Sequence, residues 1–207
     1  MPVQDEKNKT IWMDLKEGQT ILRILSSSST PLPSHWVDSE KKSHTCFGRD
    51  KGCPYSSVRK DFTTGKDRMG HWPSLKYLVW AVDRADNQLK IVKLHYSVPK
   101  QISQLKESST YGFTKDIPYD ITIMKVVLPS KKNPSGKEYR HTVMPSAVTP
   151  LTEEEVKLKE NCTSLSAIVQ RMQDKEKAKF DESQKDRVSL TPVMNTKEEE
   201  EDDEDDE

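Results

Sequence analysis

The stretch His44-Thr-Cys46, six further residues, then Cys53-Pro-Tyr-Ser56 carries metal-ligand chemistry. Zinc takes four nitrogen or sulfur ligands in a tetrahedron, and structural sites commonly include one Cys-x2-Cys pair. Here the residue at that spacing after Cys53 is Ser56, a poor ligand. His35, His44 and His71 are near in sequence, so Cys46, Cys53, His35 and His44 can be assembled into a Cys2His2 set. The competing reading is a zinc-like loop held by packing alone. Zinc is the one cofactor these residues suggest.

A second chemistry overlaps the first. Single-stranded nucleic acid is held by cations for phosphates and by aromatic faces for bases, each stacked base contributing about 1–3 kcal/mol. Between residues 36 and 84 lie Trp36, Phe47, Tyr55, Phe62, Trp72, Tyr77 and Trp80, seven of the fourteen aromatics of the chain. They alternate with Arg49, Lys51, Arg59, Lys60, Lys66, Arg68, Lys76 and Arg84. Tyr77 and Trp80 fall in a strand pattern and serve equally well as core. Trp36, Phe47 and Trp72 stand beside Gly, Pro and polar residues, which favours exposure. Lys131, Lys132, Lys137 and Arg140 make a second basic cluster, either flanking the same groove or capping a solvated hairpin.

Catalytic constellations are missing from the sequence. It has no Gly-x4-Gly-Lys loop, no His-Glu-x2-His and no nucleophile elbow. Cys162 lies in a charged helical stretch with no histidine close by. The expectation is a protein without enzymatic activity.

Charge is distributed unevenly. All ten residues Glu198–Glu207 are acidic, which leaves 24 acids against all 33 Lys and Arg in the preceding chain, a formal +9. Ten adjacent like charges repel and offer nothing apolar to bury, so this tail is expected to remain unfolded. It can lie on a cationic groove as a polyanion mimic and recruit basic partners. A chaperone or a solubility device would also carry such a tail. No run of about 18 apolar residues suggests a membrane span, and the first residues lack the apolar core of a signal peptide. Three cysteines, an odd number, read as thiols or ligands in a reducing compartment. The expected location is the cytoplasm, that of a host cell if the protein is virus-encoded.

These residues need a scaffold. Residues 1–19 form an arm whose Ile11-Trp12-Met13 and Leu15 can pack on a domain. A domain over 20–150 opens with the strand Thr20–Ser26, a loop to Pro33 and a short strand at His35–Val37. The irregular stretch 40–73 reads as an inserted loop subdomain. Leu75–Asp83 and Leu89–Leu94 make a hairpin across Arg84–Gln88. Ser97 can cap a helix to Lys106, and Tyr119–Val127 pairs with Glu138–Met144. Five strands with a helix between the third and fourth is the order of an OB-fold, a small Greek-key barrel, with a generic α+β domain as the alternative. Residues 151–187 read as one or two exposed helices opened by a Thr152 cap and docked near Leu165–Met172. Residues 188–207 are linker and tail.

The residues Leu22-Arg-Ile-Leu25, His35-Trp36, Cys46-Phe-Gly48, Gly52-Cys53-Pro54 and Tyr77-Leu-Val-Trp-Ala-Val-Asp-Arg84, with the terminal acidic run, resemble bacteriophage single-stranded DNA-binding proteins of the T-even helix-destabilising type. The likeness spans about residues 15–150 and the tail, and rests on the order of motifs. It implies an OB-fold with a zinc-bearing insertion after the first strand, an aromatic and basic cleft, and a tail that contacts replication proteins. Two features depart from it: Ser56 replaces the last zinc ligand, and the first ten residues of the N-terminal arm offer only Lys7 and Lys9 as cations. The expected function is sequence-tolerant coating and protection of single-stranded DNA in replication or recombination. The alternative is an acidic-tailed regulator that binds a host or viral polymerase or RNA.

Overall fold

The computed structural model describes residues 11–37, 40–56, 59–60, 67–68, 73–130 and 137–189, with backbone alone for 59–60, 67–68 and 184–189. The architecture is mainly β, with an open mixed sheet and helices at the C-terminal end. Its strands are β1 (Ile11–Asp14), β2 (Gly18–Ile24), β3 (Thr30–Val37), β4 (Lys42–Thr45), β7 (Ser74–Asp83), β8 (Gln88–His95), β9 (Tyr119–Pro129) and β10 (Lys137–Val148). A separate two-stranded ribbon joins β5 (Arg59–Lys60) to β6 (Asp67–Arg68). Helix α1 (Ser97–Lys106) links β8 to β9, and α2 (Glu153–Glu160) and α3 (Leu165–Ser189) close the described chain.

Strand β7 is the spine. It pairs antiparallel with β8 through the Asp83↔Gln88 turn, with β2 at Leu22↔Asp83, and with β3 at Thr30↔Leu78. Its alternation sorts the core into two faces, as a strand period of two requires. Val79 and Ala81 join Leu22, Ile24, Val92, Leu94, Val98, Tyr119, Ile121 and Ile123 in the main core. Leu78, Trp80 and Val82 join Leu25, Leu32 and Ile91 on the opposite face. That second face would be exposed apolar surface but for α3, whose Leu165 and Val169 cover it, with Ile168 and Met172 packed alongside.

The sheet does not close. In linear order it runs β1-β8-β7-β2-β9-β10. The outer edge of β8 is taken by β1, which pairs parallel from Ile11↔Lys90 to Asp14↔Lys93. Strand β10 pairs with β9. The seam between β8 and β10 is bridged by side chains. Gln101 of α1 donates to His141 O at 2.9 Å and accepts from Val143 N at 3.0 Å.

Other local expectations need correction. The loop expected to run to Pro33 ends at Thr30, where β3 begins despite Pro31 and Pro33. Proline is tolerated where its missing N–H faces away from the ladder. The Pro33 carbonyl points to the far side of the strand, where it accepts from Cys46 N at 2.9 Å. The expected Ser97 cap is not made. Tyr96 holds the cap position without a side-chain bond, and Ser97 Oγ lies 2.9 Å from His95 Nδ1. At α2 the expected Thr152 cap is present, completed by Glu155 as a capping box.

Candidate metal centre and nucleic-acid interface

The inserted stretch is built around a small polar centre. Strands β3 and β4 form a hairpin in which His35 stands opposite His44. Past β4, Gly48 and Gly52 take φ of +99° and +78°, which side-chain-bearing residues rarely adopt. These turns let Cys53 N bond back to Gly48 O at 3.0 Å and fold the chain onto itself. A 3-10 turn, Pro54–Ser56, follows. The result brings one ligand atom each of His35, Cys46 and Cys53 within 4.8 Å of one another, all three residues buried.

Ser56 lies beside two of the three. Its Oγ lies 3.0 Å from His35 Nε2 and 3.3 Å from Cys46 Sγ. An imidazole and two thiols are a donor set that suits zinc in kind and spacing, and the group could hold a metal ion. Burial pushes the Cys46 thiol up from its ordinary pKa, with neighbouring Cys53 adding to the rise against hydrogen bonds from Ser56 and Gly48. A metal ion would therefore have to displace a proton there.

His44 lies outside this group. Its Nδ1 bonds Glu176 and its Nε2 lies 3.0 Å from Glu40, while its ring packs tilted against Tyr55 at 4.9 Å between centroids. The expected second histidine ligand instead ties the hairpin to α3. The helix makes two further contacts there: Gln173 donates to Cys46 O at 2.9 Å, and Phe180 packs on Phe47 at 6.3 Å between ring centroids. Docking of α3 thus runs well past Met172, where the apolar pattern ends. Gln173 and Glu176 make these contacts through polar atoms, which hydrophobic periodicity cannot register.

The expected nucleic-acid residues divide. Phe47 is buried beside Cys46 and Cys53, and Tyr55 packs on that cluster with its hydroxyl donating to Glu40. Trp80 is buried beneath α3, its indole Nε1 donating to Thr163 O at 2.8 Å. Arg84 makes two 2.9 Å hydrogen bonds to Asp120 and a 2.7 Å ion pair with buried Glu155. Those bonds raise its already high pKa. Phe47, Trp80 and Arg84 therefore hold the fold together. Tyr77 packs half-buried against the main core. Trp36, at 60% exposure, Lys76, Lys137 and Arg140 are on the surface. Arg59 and Lys60 sit on the small ribbon. Trp72, Lys131, Lys132 and the tail Glu198–Glu207 lie outside the described residues.

Two exposed rings were not expected as binding residues. Trp12 on β1 lies under the Lys93 ammonium at 5.4 Å, and Tyr139 on β10 under that of Lys125 at 4.8 Å. They stand on the two outermost strands of the open sheet. Lys125 also donates to Leu15 O at 2.7 Å, so it joins the end of β1 to the β9–β10 hairpin. In sequence, Trp12 looks like part of an apolar arm and Tyr139 like a hairpin strand; only pairing to Lys93 and Lys125 marks them.

Among the described residues no helix is long and apolar enough to cross a membrane. Comparison with family models, with curated proteins and with solved structures finds no match.

Proposed function

We propose that this chain is a non-enzymatic, sequence-tolerant single-stranded DNA-binding protein that coats and protects DNA during replication or recombination. The observation that carries the reading is the pair of exposed aromatic rings, Trp12 and Tyr139, each covered by a lysine ammonium. An aromatic face beside a mobile cation is what a base and its phosphate require together. Segregation of +9 on the body from ten acids at the end supports the same reading.

The fold is an open variant of the OB barrel. Strands β2, β7, β8, β9 and β10 serve as its five strands, α1 sits between the third and fourth, and the β3–β4 hairpin with the Cys46–Ser56 stretch follows the first. Zinc, when bound, would be held by His35, Cys46 and Cys53 and would cross-link that loop. The acidic tail competes for the DNA surface and recruits basic-surfaced replication proteins.

Band-shift titrations of the full chain with oligo(dT), duplex DNA and RNA of equal length test the reading. Single-stranded DNA should bind tightest, with tryptophan fluorescence quenched. Failure to bind any single-stranded nucleic acid at low salt would overturn it.

A further inference from the structure

Asp14 stands inside the cationic edge of β1. Its carboxylate lies 3.2 Å from Lys93 Nζ and 3.8 Å from Lys76 Nζ, while Lys93 covers the Trp12 ring. The register explains the grouping. Asp14 pairs with Lys93 across β1 and β8, Lys93 pairs with Leu78 across β8 and β7, and Lys76 lies two residues before Leu78. All four side chains share the sheet face that α3 covers farther along at Leu78, Trp80 and Ile91. They form its uncovered continuation, with Asp14 64% and Lys76 47% exposed at the side chain.

We infer that Asp14 is a built-in competitor for single-stranded DNA at this edge. The inference rests on the nucleic-acid reading and names how its site is regulated. The free protein satisfies each binding element internally: the carboxylate sits where a phosphate would, and the Lys93 ammonium lies over the ring face where a base would stack. A DNA strand displaces both at once, its phosphate taking Lys76 and Lys93 and its base taking Trp12. Solvent-exposed ion pairs contribute little to stability, so this exchange costs the fold little. A single strand is the occupant because a lone indole face stacks an unpaired base, whereas duplex bases are already stacked.

The test uses the full chain and oligo(dT). Asp14→Asn frees two lysines, so affinity at low salt should rise several-fold. The slope of log K against log salt should steepen by about 0.7 per additional phosphate neutralised. Trp12→Leu keeps apolar packing on the edge and removes the stacking face. It should weaken binding about 5- to 150-fold and remove part of the fluorescence quench, while circular dichroism stays that of the unaltered protein. Wild-type binding with an unchanged salt slope in Asp14→Asn and unchanged affinity in Trp12→Leu overturns this inference and leaves the general function standing. No binding by the wild type overturns both.

Discussion

His95 and His141 stack with ring centroids 5.1 Å apart and planes 17° from parallel, joining two strands that share no backbone ladder. His95 ends β8 and His141 lies in β10, so the pair spans the seam where a closed barrel would make its last pairing. Beside them Gln101 bonds the β10 backbone on both its faces of charge, as donor to His141 O and acceptor from Val143 N. Helix α1 and two imidazoles thus do what hydrogen-bonded strands would otherwise do.

That pair predicts acid sensitivity. Burial, then Lys76, lowers the His95 pKa; burial, then His95 and Lys125, lowers that of His141. A base whose pKa is depressed in the fold binds more protons when unfolded, so stability rises with pH across that interval. The contribution is fully present above the unfolded value of about 6.5 and is lost as pH falls from there toward the folded values. Thermal denaturation between pH 7.5 and pH 5 should show a falling Tm, and His141→Gln should flatten the slope. Parallel slopes for the two proteins would remove the pair from the explanation.

Arg84 tests whether a residue that reads as a DNA contact is a structural one. It joins Asp120 of β9 to Glu155 of α2, and buried Arg23 reaches Asp120 at 3.7 Å and Thr149 O nearby. Removing one partner leaves charges with little water to solvate them. Arg84→Gln should cost about 1–3 kcal/mol of stability by denaturant unfolding. The affinity of the folded variant for oligo(dT) should remain that of wild type. A loss of affinity without a loss of stability would return Arg84 to the binding surface.

Much of the fold is legible in the sequence, because apolar alternation reports burial directly. Tyr119, Ile121 and Ile123 read as one face of a strand and are fully buried. The end of α1 at Lys106 and the Thr152 cap are likewise local signals. What escapes is decided by long-range pairing. Nothing in Ile11–Asp14 indicates that it takes the edge of β8 as a parallel strand. In the candidate site, His35, Cys46 and Cys53 are legible as ligand types, but His35 and His44 look equivalent until Glu40 and Glu176 claim His44. Trp80 and Trp36 are both tryptophans among cations; α3 alone makes one of them core.

Ser56 predicts how the metal centre can be strengthened. Its hydroxyl already stands at hydrogen-bond distance from His35 and Cys46, so a thiol at that position completes a Cys3His set. Ser56→Cys should raise zinc affinity by about tenfold or more and raise Tm in the zinc-loaded protein. Cobalt substitution provides a direct reading, since the thiolate-to-metal absorption band should grow with a third sulfur. Both proteins failing to bind cobalt or zinc would leave His35, Cys46, Cys53 and Ser56 as a hydrogen-bonded core.

The tail makes the broadest prediction. Ten carboxylates tethered to a +9 body are present at high effective concentration near every cation that could hold a phosphate. On the proposed function they would compete with DNA across the whole basic surface, whereas Asp14 would compete at one edge. Deleting Glu198–Glu207 should therefore tighten binding to oligo(dT) at low salt. The gain should shrink as salt rises, because screening weakens the tethered acids along with the DNA. Combined with Asp14→Asn, the deletion should give less than additive gains, since the tail also reaches Lys76 and Lys93, which Asp14 holds. The same truncation should abolish capture of basic-surfaced replication proteins while DNA binding persists. Unchanged affinity at low salt would show that the tail does not occupy the DNA surface and leave recruitment as its function.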